Sequence, residues 1–175
     1  MNSTATFAGG CFWCTEAVFQ RLEGVKKVVP GYTGGSIKDP SYKEVAKGNT
    51  GYAEAIQITF DSKEISYEDL LHVFFATHDP TTLNRQGADI GTQYRSEIFY
   101  HDEAQKEKAE KYINEIQKDY KDNIVTKVSK FEKFYEAEDY HKNYYNNNKN
   151  SMYCKLVIDP KINKLSKIKK ELALD

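Results

Sequence analysis

Residues 4–22 read TATFAGGCFWCTEAVFQRL, and this stretch contains the clearest structural signals in the chain. Thr4–Ala8 has the composition of a short β-strand, and Gly9–Gly10 predicts a turn directly after it. Phe12–Leu22 predicts a helix with an apolar face, and Gly24 stands where a helix C-terminal cap belongs. The stretch therefore predicts a strand, a tight turn and a helix in direct succession.

The rest of the chain continues with strands and helices in mixed order. Ala53–Phe60 alternates with a period of two, which is typical of a strand, and Glu54 falls on the apolar side. Ser66, with Asp69 three residues later, predicts the start of a helix that ends at Ala76. The other predicted elements are strands at 25–29 (ended by Pro30-Gly31), 95–100, 124–128 and 155–158, a helix after Asp102, and helices at 137–145 and from Pro160 onward. This order predicts an α+β fold, in which helices pack on a mixed or antiparallel sheet.

The length of the chain predicts a single domain, and its charge balance predicts a surface without a strong electrostatic field. The chain has 175 residues and a formal net charge of -1, which argues against nucleic-acid binding through phosphate contacts. Its best apolar run, Leu70–Ala76, is interrupted by His72 and is far shorter than the ~20 residues that a membrane span needs. We expect one domain over 1–175, with its core at about 4–145 and a long, irregular C-terminal segment at about 146–175.

The cysteine content favours a reducing compartment. The chain has three cysteines, an odd number, and its first residues lack the pattern of a secretion signal. A disulfide framework is therefore not expected, and cysteines in such a chain are metal-binding, catalytic or simply buried. We expect a cytoplasmic monomer.

The strongest chemical signal is Cys11, which follows the glycine turn at the start of the predicted helix. Unpaired backbone N–H groups at a helix N-terminus favour a thiolate and can lower a cysteine pKa from ~8.5 to ~7 or below. Phe12 and Trp13 stand beside this thiol and are candidates for the lining of an apolar slot. The pattern therefore predicts a nucleophilic cysteine next to an aromatic pocket.

Cys14 completes a C-x-x-C motif with Cys11 and leaves two other chemistries open. One is a general dithiol oxidoreductase that uses this pair. The other is a zinc site, which would take its remaining ligands from Cys154 and one of His72, His78, His101 and His141. The chain lacks a second C-x-x-C and an H-x₃₋₅-H motif, so the zinc site is the weaker alternative and no metal is expected.

Several short motifs together resemble those of a known enzyme family. They are Gly10-Cys11-Phe12-Trp13 with Glu16, Gly31-Tyr32-Thr33-Gly34-Gly35, Pro40-Ser41-Tyr42, Gly51-Tyr52-Ala53-Glu54-Ala55, His78-Asp79-Pro80-Thr81-Thr82, Arg85-Gln86-Gly87 with Asp89, and Gly91-Thr92-Gln93-Tyr94-Arg95-Ser96. In this order they resemble peptide-methionine (S)-S-oxide reductase, the A-type methionine sulfoxide reductase. The resemblance covers most of the chain, from about Thr4 to about Pro160.

This resemblance implies an activity and a reductant. The activity is reduction of the S epimer of methionine sulfoxide, free or in oxidised proteins, and therefore protein repair under oxidative stress. The implied electron donor is thioredoxin, which dithiothreitol can replace in vitro, and no bound cofactor or metal is implied. The implied fold is a two-layer α/β sandwich with a ferredoxin-like core.

The resemblance also assigns roles to residues around the sulfoxide. They are the nucleophile Cys11, the proton donor Glu54, the methyl pocket of Phe12 and Trp13, the phenols Tyr42 and Tyr94 that hydrogen-bond the oxygen, and Asp89 near the substrate's main chain. Chemistry supports the role of Glu54, because oxygen leaves a sulfoxide poorly unless it is protonated. In an aromatic pocket, desolvation should raise the pKa of Glu54 and keep it protonated near neutral pH.

The resemblance further implies a thiol that resolves the sulfenic acid formed on Cys11. Cys154 resembles the family's resolving cysteine and is the favoured choice. Cys14 is the alternative, because residues three apart on a helix are neighbours. The chain departs from the family pattern at Cys14, where many members carry Gly, and at Tyr52, where His is common.

Overall fold

A six-stranded sheet is the frame of the computed structural model, which describes residues 2–36 and 38–172. Its strands are β1 (Asn2–Gly9), β2 (Val25–Thr33), β3 (Ala53–Asp61), β6 (Ser96–Tyr100), β7 (Lys127–Lys130) and β8 (Phe134–Glu136). They lie in the order β7-β6-β1-β3-β2-β8, and β6 and β7 are parallel whereas the other neighbours are antiparallel. A separate two-stranded ladder joins β4 (Arg85–Gln86) to β5 (Asp89–Ile90).

The helices are α1 (Phe12–Phe19), α2 (Tyr42–Ala46), α3 (Tyr67–Ala76), α4 (Glu103–Ile116), α5 (Tyr144–Asn147) and α6 (Asp159–Leu172). A π-helical turn, Cys154–Ile158, leads into α6. The predicted start of α3 is confirmed, because the Ser66 hydroxyl accepts the Asp69 amide N–H while the Asp69 carboxylate accepts the Ser66 N–H. Asp102 caps α4 by accepting the amide N–H of Gln105.

Strand alternation separates the two faces of the sheet. On β3, Ile56 and Ile58 belong to the main core beneath the helices, whereas Ala53 and Ala55 pack with Phe99 on the opposite face. Glu54 has the parity of Ile56 and Ile58, so it points to the helix side at the start of β3. The predicted α+β fold with helices packed on a mixed sheet is thus confirmed, and the ferredoxin-like description of its core stays a prediction.

The predicted break at Pro30-Gly31 is wrong, because β2 continues through both residues to Thr33. The carbonyl of Pro30 accepts the amide N–H of Ala137, which lies just beyond β8. The N–H and C=O of one strand residue point to the same side, so the missing N–H of Pro30 also faces that side. The ladder between β2 and β3 therefore continues without it.

The predictions for the C-terminal third are largely wrong. The expected strand at 124–128 begins three residues later, as β7, and in place of the expected helix at 137–145 the chain forms a 3₁₀ turn at 139–141 and then α5. The expected strand at 155–158 is the π-helical turn, whereas the helix expected from Pro160 onward is confirmed as α6. The C-terminal segment expected to be irregular is therefore helical over 154–172. Ile158, Leu165 and Ile168 are buried there, so packing onto the core overrides the β-branched composition.

The predicted single domain over 1–175 stays a prediction, since residues 1, 37 and 173–175 lie outside the described part of the chain. Within residues 2–36 and 38–172, none of the helices combines the length and the apolar character that crossing a bilayer requires.

Gly31 allows β8 to pair closely with β2. A Cβ at this position would collide with the backbone oxygen of Tyr135 and with the ring of Phe134. We therefore expect Gly31→Ala to lower the free energy of unfolding by about 1–3 kcal/mol, measured by urea denaturation. Gly87→Asn is the control, because open space surrounds Gly87 and Asn tolerates its positive φ of 58°. Equal stability of Gly31→Ala and the wild type would contradict the argued close packing.

Candidate active site

Cys11 lies at the junction that the sequence predicts, as the N-terminal cap of α1 after the turn at Gly10. Gly10 has a φ of 90°, a conformation that L side chains rarely adopt. No backbone N–H of the first turn makes a capping hydrogen bond to the Cys11 side chain, although the nearby Trp13 amide acts to lower the pKa of Cys11. The thiol thus lies at the helix start, as expected, and the residue remains 8% exposed.

The expected low pKa of Cys11 is nevertheless wrong for the substrate-free protein. Burial raises the pKa of the Cys11 thiol well above its usual value, and a hydrogen bond with Cys14 and the charge of Glu54 raise it further. The same hydrogen bond lowers the pKa of Cys14 to about 7. Desolvation therefore outweighs the single amide N–H, and Cys11 is the thiol that keeps its proton.

Glu54 is a neutral carboxyl group next to this thiol. Its side chain is buried, and its Oε1 accepts the amide N–H of Phe12, the residue after Cys11, at 3.2 Å. Burial raises the pKa of Glu54 from 4.5 to about 8, although the Phe12 N–H acts in the opposite direction. The expected upward shift is confirmed, and at pH 7 the group holds a proton that it can donate.

Two phenols complete the polar part of the site. Burial, followed by the charge of Glu54, raises the pKa of Tyr42 to about 12, and the same two causes raise the pKa of Tyr94. Both hydroxyls therefore stay protonated near Glu54 and can donate hydrogen bonds to an oxygen. Glu138 holds Tyr42 in place, because its Oε2 accepts the Tyr42 amide N–H at 3.0 Å and its Oε1 accepts the Tyr32 hydroxyl at 2.9 Å.

Phe12 and Trp13 form an aromatic surface over the start of α1. Phe12 is buried, with the ring of His141 at 5.1 Å from its own. Trp13 is half-buried and stacks on Tyr144, with ring centres 3.7 Å apart and planes at 7°. The indole N–H of Trp13 donates to Nδ1 of His141 at 3.0 Å, and burial lowers the pKa of His141, which keeps that nitrogen free to accept.

Tyr153 connects Asp89 with the cluster of three thiols next to this surface. The hydroxyl of Tyr153 donates to Oδ2 of Asp89 at 3.0 Å and lies 3.5 Å from the Cys14 sulfur. Cys11, Cys14 and Cys154 belong to one buried cluster and are all unpaired thiols. Cys154 is the most deeply buried of the three, at 0% exposure.

Residues that sequence reasoning missed hold the aromatic surface in place. They are Glu16, Glu138, His141, Tyr144 and Tyr153. Glu16 is buried and accepts the backbone N–H groups of Asn143 and Tyr144, which fixes the segment that stacks on Trp13. Glu16 belongs to the quoted cysteine motif, and that position was the only signal for it. The others come from a segment whose structure the sequence predicted wrongly.

The four histidines considered for the alternative zinc site are hydrogen-bonded to other residues. Each makes a hydrogen bond of its own: His72 to Tyr112, His78 to Phe74 and Ser96, His101 to Thr6, and His141 to Trp13. Among the described residues, no group of three or more His, Cys, Asp and Glu side chains is arranged to hold a metal ion. Tyr52, the other departure from the family pattern, packs edge-on against Tyr135.

Comparisons with known proteins agree with this geometry. Residues 3–173 match the family model described as peptide methionine sulfoxide reductase. A curated relative from Saccharolobus solfataricus, named peptide methionine sulfoxide reductase MsrA, is 55% identical over 164 residues, which cover 94% of this chain and 93% of the relative. Mxr1 from Saccharomyces cerevisiae is similar in its reduced form, with a TM-score of 0.83 and 37% identity over 87% of this chain and 89% of that one. Mxr1 in complex with Trx2 gives a TM-score of 0.59 and 25% identity over 82% and 84%.

The raised pKa of Glu54 makes stability depend on pH. The folded protein binds this proton more tightly than the unfolded chain does, so the contribution is complete below pH 4.5 and is lost as the pH rises through about 8. We expect Glu54→Gln to gain stability relative to the wild type across this range, on the order of a few kcal/mol above pH 8, measured by urea denaturation at several pH values. Glu107→Gln, on the exposed face of α4, is the matched control. A stability difference that does not change with pH would refute the buried, protonated carboxyl group.

Proposed function

The chain belongs to the peptide methionine sulfoxide reductase family, and from this premise we propose how its own residues reduce the S epimer of methionine sulfoxide. The protein is a thiol-dependent oxidoreductase. The observation that carries the proposed mechanism is the buried carboxyl group of Glu54, which keeps its proton at pH 7 beside the backbone of the nucleophile.

In the first step, the Cys11 thiolate attacks the sulfur of the sulfoxide while Glu54 donates its proton to the oxygen. The attack forms a bond between the Cys11 sulfur and the substrate sulfur. That bond and the S–O bond then break as the hydroxyl passes to the Cys11 sulfur, which gives methionine and a sulfenic acid. The substrate sulfur is reduced by two electrons and the Cys11 sulfur is oxidised by two. Tyr42 and Tyr94 donate hydrogen bonds to the oxygen, on which negative charge develops before the proton arrives.

The thiolate forms by proton transfer within the cysteine pair. Cys14, whose pKa is about 7, is partly ionised at pH 7 and interacts directly with Cys11, so its thiolate can accept the Cys11 proton in an uphill step. The protonated Cys14 then donates to the new thiolate. The neutral state of Glu54 helps, because its negative charge would raise the pKa of Cys11.

The shape of the site accounts for the choice of epimer. The S-methyl group fits the aromatic surface of Phe12 and Trp13, the oxygen points to Glu54 and the two phenols, and the main chain extends toward Asp89. One epimer can place its methyl group, its oxygen and its main chain in these three directions while its sulfur faces Cys11. In the other epimer the oxygen and the methyl group exchange places. Geometry therefore selects the epimer, since an apolar pocket for one methyl group gives only ~1–3 kcal/mol of discrimination.

In the second step, a neighbouring thiol condenses with the sulfenic acid, which releases water and forms a disulfide. The proposal assigns this role to Cys154, with Cys14 as the alternative, and both share the buried cluster of Cys11. The dithiol of thioredoxin then reduces the disulfide, and the complex of Mxr1 with Trx2 supports this choice of reductant. Free and protein-bound sulfoxide are both substrates in this proposal. The cytoplasmic location, the monomeric state and the lack of a bound cofactor stay predictions.

Reduction of racemic dabsylated methionine sulfoxide with dithiothreitol tests the first step. We expect half of the substrate, the S epimer, to be consumed, and Cys11→Ser to be inactive. Glu54→Gln should lower the rate by about 10²–10⁴-fold, because the site loses its proton donor. The wild-type rate should also fall as the pH rises through about 8, where Glu54 loses its proton.

Glu107→Gln is again the control for the Glu→Gln change. Consumption of both epimers, or full activity of Glu54→Gln, would exclude the proposed chemistry. Reduction of insulin disulfides without any sulfoxide reduction would instead support a general dithiol oxidoreductase built on Cys11 and Cys14.

Single and double cysteine variants identify the resolving thiol. If Cys154 resolves, Cys154→Ser yields about one methionine per enzyme and no recycling by thioredoxin, whereas Cys14→Ser still recycles, at a lower rate because it lacks the thiol that accepts the Cys11 proton. Turnover is measured as oxidation of the nicotinamide cofactor that keeps thioredoxin reduced. The methionine formed in the first turnover is measured separately, without reductant. The opposite pattern assigns resolution to Cys14. Full recycling in Cys14→Ser/Cys154→Ser would remove both assignments, since Cys11 would be the only thiol left.

A further inference from the structure

Tyr153 fills a position in the substrate-free site that the proposed function assigns to the substrate. Its hydroxyl donates to Asp89 at 3.0 Å and lies 3.5 Å from the Cys14 sulfur. Its ring meets Trp13 edge-on, with ring centres 5.7 Å apart and planes at 80°. One side chain thus contacts the carboxylate expected to receive the main chain and an aromatic ring expected to receive the methyl group.

We propose that Tyr153 is a positioning residue that competes with the substrate's main chain for Asp89, so that substrate binding and release of Cys154 from its buried position are one event. This proposal depends on the proposed function, because that function places the substrate's main chain at Asp89. A main-chain N–H of the substrate and the Tyr153 hydroxyl are both hydrogen-bond donors. The Tyr153 hydroxyl occupies the space at Oδ2 of Asp89, so a substrate N–H that approaches the same oxygen has to displace it.

The position of Tyr153 in the chain links its displacement to the release of Cys154. Tyr153 is the residue before Cys154 and leads directly into the π-helical turn Cys154–Ile158. A π-helical turn is rare and frequently lies at a functional site. In this proposal the Tyr153 ring leaves Asp89 and Trp13 by a movement of the backbone that it shares with Cys154. Displacement of this one ring therefore loosens the contacts that bury the resolving thiol.

The contacts of Tyr153 set the size of the expected effect. A hydrogen bond from a phenol to a carboxylate is charge-assisted and is stronger than one between neutral groups. A substrate that must first displace it binds to the fraction of molecules in which Asp89 is free, and its apparent affinity falls by that fraction. Removing the hydroxyl should thus raise the apparent affinity by about three- to tenfold for substrates that use Asp89.

Tyr153→Phe tests the competition and keeps the aromatic ring. We expect the half-saturating concentration of N-acetyl-methionine sulfoxide amide to fall about three- to tenfold in a single-turnover assay, with the saturating rate unchanged. Dimethyl sulfoxide has no main chain to place at Asp89, so its half-saturating concentration should not change. Tyr112→Phe is the matched control, because it removes a phenol hydroxyl that is hydrogen-bonded to His72, between α4 and α3 and away from the site.

Labelling of Cys154 tests the coupling. In Cys11→Ser/Cys14→Ser the only thiol is Cys154, which is 0% exposed, so iodoacetamide should react slowly. Adding N-acetyl-methionine sulfoxide amide, which this variant cannot reduce, should accelerate labelling, and dimethyl sulfoxide should not. Adding Tyr153→Phe should accelerate labelling without substrate, whereas adding Tyr112→Phe should not.

Each contradicting outcome overturns either this proposal or the proposed function, and not both. Equal half-saturation of wild type and Tyr153→Phe with the amide substrate would overturn the competition, as would an equal change for dimethyl sulfoxide, which indicates a general loosening of the site. Labelling of Cys154 that is insensitive to the amide substrate would overturn the coupling. A wild-type protein that reduces no sulfoxide at all would overturn the proposed function instead.

Discussion

A carboxyl group held away from water at the start of β3 is the constraint on which the chemistry of this site depends. Glu54 is 1% exposed and has the backbone N–H of Phe12 as its hydrogen-bond donor, an arrangement too weak to offset the loss of hydration. The group therefore remains protonated at neutral pH, where an exposed glutamate would be charged. A charged Glu54 would raise the pKa of Cys11, so the proton on Glu54 also favours formation of the Cys11 thiolate.

The site is assembled from two distant parts of the chain. The strand, turn and helix at the N-terminus supply the nucleophile and the aromatic surface, and residues 138–153 fold over them from the other end. Glu138 holds Tyr42, His141 fixes the indole of Trp13, and Glu16 in return anchors the backbone at Asn143. These contacts join residues 96 to 128 positions apart in sequence. The rings at the mouth of the site thus have their orientations fixed by hydrogen bonds whose donors and acceptors are partly or fully buried.

The sequence predicted what local patterns control and missed what long-range contacts control. The turn before Cys11, the cap of α3 at Ser66 and the inward direction of Glu54 each follow from a few adjacent residues, and the structure agrees with all three. The pKa of Cys11 could not be predicted, because it is set by burial beneath residues from the opposite end of the chain. The prediction of a helix at 137–145 is wrong for a similar reason. Ala137 and Glu138 form hydrogen bonds with residues of β2 and α2, about 100 positions away in sequence: Pro30, Tyr32 and Tyr42.

The raised pKa of Cys11 suits a methionine sulfoxide reductase, because the oxidants that form its substrate also attack thiolates. A thiolate is far more easily oxidised than a thiol, so a permanently ionised Cys11 would be oxidised in the absence of substrate. The neutral form avoids this, and the partner that can take its proton, Cys14, is already hydrogen-bonded to it. The three thiols also differ in burial in the order in which the proposed reaction needs them, from Cys11 at 8% exposure to Cys154 at 0%. The thiol that meets the substrate is the accessible one, and the thiol that must pass electrons to another protein stays covered until the substrate binds.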